Sequence, residues 1–160
     1  MLLDDHSFRK TLGCFPTGVT VMTTLGKDGA ATGVTISAFS SLSLSPPLVL
    51  FCLDKKTSCL DAFLDGHFGV NILAQDQKAV SVAFARRSGD KWQGITQRRG
   101  VTGIPLLEGC VACLECKVVQ VVDGGDHKII VGQVEHLESN DVKLPLLYFR
   151  GDYSRIGDAV

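Results

Sequence analysis

Along most of this chain apolar and polar residues alternate with a period of two, which predicts strands lying half against a core. Val19 to Thr24 alternates, LGKDGA supplies a turn through Asp28-Gly29, and Ala31 to Ser37 returns, together predicting a hairpin. Leu48 to Leu53 and Phe68 to Leu73 are denser apolar runs that read as buried strands, and a last run spans Leu144 to Phe149. The strongest hairpin pattern lies later, where Cys110 to Val122 and Lys128 to Leu137 flank the turn sequence DGGD.

Helical spacing occurs in three places. Asp5 is positioned to cap a short helix carrying Phe8 and Leu12. Ser58 and Asp61 stand at capping-box spacing before Leu60, Phe63 and Leu64, with Gly66 as the stop, and Val80, Ala83 and Phe84 share one face of residues 75–86. Between that helix and Pro105 the chain reads as loop-rich. Strands outnumber helices and mostly follow one another directly. The expectation is therefore a mainly β, antiparallel barrel with a few short helices, formed as one domain over residues 1–160 without repeat or linker.

One stretch breaks the pattern. Residues 33–49, GVTISAFSSLSLSPPLV, begin as a strand and then run into small hydroxyl residues and Pro46-Pro47, where a core strand would keep its apolar period. Such a segment is expected to turn, leaving hydroxyls and backbone N–H groups free for a ligand.

Composition narrows the function classes. With 45% apolar and 21% charged residues the chain is an ordinary globular protein, and a formal charge of −1 provides no basic field for nucleic acid and no polybasic segment for a membrane. Asp4 and Asp5 stand where a signal peptide needs positive charge, so a cytoplasmic location is expected. The six cysteines then read as reduced thiols. Cys110, Cys113 and Cys116 have the spacing that begins an iron–sulfur run, but position 120 is Gln, and on a strand positions three apart face opposite ways. No metal is expected.

The dinucleotide fingerprint G-x-G-x-x-G, the phosphate loop and the nucleophile elbow G-x-S-x-G are all missing from the sequence. Two candidate anion sites exist: the hydroxyls of Thr35, Ser37, Ser40 and Ser41, and Lys55-Lys56-Thr57-Ser58 at an expected helix N-terminus. Composition alone also allows an exposed serine loop and a solvated lysine turn. His127, directly after the late hairpin's turn, is placed at a barrel rim, and Arg150 and Tyr153 follow the last strand, as ligand groups or as surface decoration.

Six segments in order, FPTGVTVMTT (15–24), GVTISAFSSLSLSPPLVLFCLDKKTS (33–58), HFGVNIL (67–73), GDKW (89–92), GDHKIIVGQVE (125–135) and PLLYFRGDY (145–153), resemble the short-chain flavin reductase family over nearly the full chain. The resemblance implies an FMN-binding split β-barrel of Greek-key type and a homodimer that binds flavin between subunits. It implies an NAD(P)H:flavin oxidoreductase that hands reduced flavin to a separate monooxygenase, with FMN or FAD as flavin and NADH or NADPH as reductant. By position it carries Thr35, Ser37, Ala38 and Phe39 to the flavin ring, Lys55 and Ser58 to the phosphate, and Phe84, Ala85 and Arg86 to the flank. Ser40 and Asp54 complete the cofactor-binding set, His127 lies on the nicotinamide side, and Arg150 and Tyr153 lie near the dinucleotide. Trp92 stands where the family more often has Phe. A non-catalytic flavin- or heme-binding carrier or sensor on the same barrel is the alternative that the resemblance leaves open.

Overall fold

The structure is a computed structural model and describes residues 3–158; residues 1–2 and 159–160 of the expected single domain lie outside them. The N-terminal helix α1 (Asp5–Leu12) is followed by β1 (Thr17–Gly18), β2 (Thr20–Leu25), β3 (Ala31–Ile36), β4 (Phe39–Leu44), β5 (Pro47–Asp54) and β6 (His67–Ile72). Helix α2 (Lys78–Ala85) comes next, then β7 (Gln97–Arg99), β8 (Pro105–Leu107), β9 (Ala112–Gly124), β10 (His127–Ser139), β11 (Leu147–Phe149) and β12 (Asp152–Ser154).

Seven strands form one antiparallel sheet in the order β3-β2-β6-β9-β10-β5-β4. Its two edge strands, β3 and β4, are joined only by Ser37 and Ala38, so the sheet curls until its edges meet there, making an incomplete barrel. The inside is filled from all around the curl by Met22, Ile36, Phe51, Phe68, Cys116 and Ile130 among others. A second core lies outside the sheet, where Val21, Leu73, Phe84, Leu106 and Cys113 pack beneath α2 and β8. Strand β2 serves both: Val21 faces the outer core and Met22 the inner one, each fully buried. Its buried threonines are satisfied by carbonyls, Thr20 by Ile36, Thr23 by Pro105 and Thr24 by His67.

Several expectations change. The hydroxyl stretch is a strand, β4, paired with β5, with the turn confined to Ser37–Ala38 and a second reversal at Ser45–Pro46. At a sheet edge only one ladder must be satisfied, so serines and prolines are tolerated there. The helix expected after Ser58 is a single 3-10 turn, Leu60–Phe63, without a side-chain cap. Phe63 is driven into the inner core against Phe51 at 5.8 Å, and Gly66, at φ +78°, turns the chain into β6 before a longer helix can form. The cap of α1 is Asp4, whose carboxylate accepts from the Ser7 N–H at 2.9 Å, rather than Asp5. The loop-rich middle holds the small β7–β8 hairpin, and Leu144–Leu146 precede the last run's strand.

Candidate functional site

Two cavities open on either side of the paired ends of β5 and β10. In that ladder Asp54 stands opposite His127, so the residue that closes one cavity is paired through the backbone to the residue that lines the other.

The first, about 280 Å³, has Val34, Phe84 and Ala85 for its apolar lining, with Asp54, Lys56, Thr57 and Ser58 on one side and Arg86, Arg87 and Lys91 on the other. Phe84 is fully buried and sits edge-on to Trp92 at 4.8 Å. It occupies that place because Gly33 has no side chain, since a Cβ there would come within 2.9 Å of the Phe84 ring. The Trp92 Nε1–H donates to the Ala31 carbonyl at 3.0 Å, a bond that the more usual Phe cannot make, so the departure from the family pattern pins the loop to β3. Lys56, Arg86, Arg87 and Lys91 surround this cavity and make no ion pair among the described residues. Asp54, the cavity's one acid, is occupied by the Lys56 backbone N–H at 2.8 Å. Lys91 already donates to the Gly33 and Phe84 carbonyls at 3.3 and 3.4 Å, so Lys56, Arg86 and Arg87 with the hydroxyls of Thr57 and Ser58 form the donor set for a phosphate.

The second cavity, about 570 Å³, lies beneath α1 and brings together Ser37, His127, Tyr148 and Arg150 with Phe8 and Thr17. Asp126 holds the imidazole, Oδ1 to Nδ1 at 2.7 Å, and this contact lowers the Asp126 carboxyl below its ordinary value. Nε2 is left for a ligand. Thr17 Oγ1 is buried without any partner at this cavity, the one such side-chain atom among the described residues. A buried hydroxyl without a partner is costly, and a polar ligand group would satisfy it. Arg150 is held at φ +51°, its guanidinium 5.0 Å from the Phe149 ring, and its backbone N–H donates to the Gly13 carbonyl.

The expected site residues thus divide. Asp54, Ser58, Phe84, Ala85 and Arg86 line the basic cavity, while Ser37, His127 and Arg150 line the other, with Ala38 on the short connection between β3 and β4 and Phe39 opening β4. Four residues point elsewhere. Thr35 Oγ1 donates to the Ser81 carbonyl at 2.6 Å and fastens α2 to the sheet. Ser40 lies exposed on β4, its hydroxyl on the Ser41 carbonyl. Lys55 turns to the hairpin, bonding Asp123 at 2.7 Å and the Gly125 carbonyl, which leaves Lys56 to face the cavity in its place. The Tyr153 hydroxyl meets Ser81 Oγ at 2.8 Å, and the ring lies beneath Lys78 at 5.2 Å, behind the site. Arg87, Lys91 and Thr17 were not among the expected binding residues. The Arg-Arg pair after α2 and the lysine of GDKW were visible signals, whereas nothing local in FPTG marks Thr17 as unpartnered.

Comparison with known proteins identifies the family to which the chain belongs. Residues 12–157 match the family described as flavin reductase like domain. The chain is 45% identical over 157 residues to the reductase subunit HsaB of a flavin-dependent monooxygenase from Mycobacterium tuberculosis, covering 96% of this chain and 83% of that protein. It is 39% identical to a flavin reductase (NADH) of Kitasatospora aureofaciens, over 96% of this chain and 83% of that one. A solved NADH:FAD oxidoreductase of Streptomyces globisporus, in complex with NAD and FAD fragments, superimposes with a TM-score of 0.91 at 34% identity, covering 98% of this chain and 97% of its own.

Proposed function

Because this chain belongs to the flavin reductase family, we propose that its two cavities divide the work of one reaction, the basic one holding the flavin phosphate and the one beneath α1 receiving the reductant. The protein is an NADH-dependent flavin oxidoreductase, the reductase partner of a separate flavin-dependent monooxygenase. The observation that carries the division of labour is the Asp54–His127 pairing, which sets a cationic pocket and an imidazole back to back. When bound, flavin supplies the N5 that accepts hydride from nicotinamide C4, so the chain's own task is binding, orientation and exclusion of water.

Lys56, Arg86 and Arg87 hold the phosphate with Thr57 and Ser58, and Asp54 fixes the loop that carries them. Backbone groups at Ser37, Ala38 and Phe39 meet the flavin ring. There the Phe39 N–H is turned onto the Ser37 carbonyl and the Ala38 carbonyl accepts from the Cys52 N–H, so it is the Ser37 and Ala38 N–H groups that face the ring. His127, oriented by Asp126, presents Nε2 to the nicotinamide, and Arg150 supplies positive charge to the dinucleotide. Thr35 and Tyr153 act behind the site by locking α2, which carries Phe84, Ala85 and the start of Arg86-Arg87.

We take residues 1–160 to work as one domain and to pair as a homodimer. Phe8, Leu12 and Phe15 at the mouth of the second cavity are 49%, 56% and 75% exposed, an apolar rim that a second copy covers. Light scattering of the purified protein reads this directly, and a monomer at working concentration refutes it.

The reaction is tested by NADH oxidation in air, without flavin and then with FMN, FAD or riboflavin, each repeated with NADPH. Turnover that requires flavin is expected. Silence in every combination, with flavin retained in the spectrum, returns the chain to a carrier or sensor.

A further inference from the structure

The threonine hydroxyls buried among the strands follow one rule. Thr20, Thr23, Thr24 and Thr35 each donate to a backbone carbonyl, at 2.7, 2.5, 2.6 and 2.6 Å. Among the described residues Thr17 departs from it, for its Oγ1 is buried with no partner. A valine has nearly the same shape and would fill that position without the cost of desolvating a hydroxyl. The fold alone therefore gives no reason for a threonine here.

Two neighbours define the group that would satisfy it. Strand β1 pairs with β11 so that Thr17 stands opposite Tyr148, and side chains opposite one another in an antiparallel pair share a face. That face is the wall of the cavity beneath α1, which both residues line together with His127. The Asp126 carboxylate accepts from the imidazole at Nδ1, which leaves Nε2 as an acceptor in the neutral ring. The cavity thus offers one acceptor, His127 Nε2, and one hydroxyl donor, Thr17. A primary amide is complementary to that set, since its NH2 donates and its carbonyl accepts from the same carbon.

We infer that Thr17 is a binding residue for the carboxamide of the reduced nicotinamide, its O–H donating to the amide carbonyl while His127 Nε2 accepts from the amide NH2. The inference rests on the reading of this cavity as the reductant's and adds a residue to it. Two contacts to one planar group fix the rotation of the ring within the cavity, and with it the position of C4. A hydroxyl that costs stability in the protein alone is thereby given its partner by the substrate.

The test is Thr17→Val, which removes the hydroxyl and keeps the shape. Without NADH or flavin the variant should melt about 2–4 °C higher than the wild type, because a buried unsatisfied group is gone. In NADH oxidation with FMN its KM for NADH should rise about fivefold, the loss of one hydrogen bond, with the KM for FMN unchanged. Thr17→Ser should restore the wild-type KM. With the reduced thionicotinamide dinucleotide, whose sulfur accepts only weakly, wild type and Thr17→Val should converge. A merely structural hydroxyl would move stability downward and leave the comparison of the two dinucleotides untouched. A variant that melts lower, a KM for NADH that stays the same, or a rise confined to FMN overturns the inference. Thr17→Ala reads the same loss of binding should the valine variant not fold. A wild-type chain that is silent with every flavin defeats the reductase reading and this inference with it, whereas wild-type turnover with unchanged variant kinetics defeats this inference alone.

Discussion

The two cavities flanking Asp54 and His127 are built differently. The basic one rests on the outer core: its Phe84 is fully buried, locked by Trp92, Gly33 and helix α2, and Lys91 is turned in onto the Gly33 and Phe84 carbonyls. The other is roofed by α1, in which no residue is buried, and is completed by Arg150 and Tyr148 on short surface strands or turns. A group bound in the first meets a pre-formed site, and a group bound in the second meets adaptable walls. That is a suitable division if one ligand must be held in register while another enters and leaves at every turnover.

The largest effect that sharpens this contrast is expected from Phe84→Ala. Removing a fully buried ring at the floor of the basic cavity should cost about 3–5 kcal/mol of unfolding free energy, read by urea denaturation. A loss below about 1 kcal/mol would mean that this floor is not rigid. Arg86→Ala leaves the core untouched and removes one charge-assisted contact to phosphate, worth about 1.5–3 kcal/mol, so the KM for FMN should rise roughly tenfold or more while that for NADH changes little. Equal effects on both substrates would erase the distinction between the cavities. His127→Ala should do the reverse at smaller scale, raising the KM for NADH about fivefold through one lost hydrogen bond of about 1 kcal/mol, with flavin binding nearly unchanged. Unchanged NADH kinetics would remove His127 from the reductant's site. Phe8→Ala, at the rim of the roof, should shift unfolding by no more than about 0.5 kcal/mol in a separated subunit. A larger, concentration-dependent loss is expected where a second copy covers that rim, and its absence would take α1 out of the subunit contact.

Much of the fold is legible along the chain because it rests on local pattern. Alternation at Val19–Thr24 and Ala31–Ser37 gives the β2–β3 hairpin, and DGGD between two long β runs gives β9–β10, whose turn requires the positive φ that Gly125 supplies at +68°. Ordered motifs from residue 15 to 153 point to the family, and the match over residues 12–157 bears that out. Errors arose where a local preference met a neighbour distant in sequence. The serines of β4 prefer a turn but gain a ladder from β5, and the helical face at Leu60, Phe63 and Leu64 yields to the pull of Phe63 into the barrel.

Thus the sequence determined that the chain is a mainly antiparallel β protein of the flavin reductase family, because strand period, turn glycines and motif order are properties of neighbouring residues. Only the tertiary structure decided which side chains share a cavity. It turned Lys55 to Asp123 and left Lys56 at the basic pocket, left the Thr17 hydroxyl without a partner, and put Cys110 and Cys113 in the outer core while sending Cys116 through to the inner one. Those outcomes depend on where the sheet curls and where β9 begins, and no window of sequence contains both sides of such a contact.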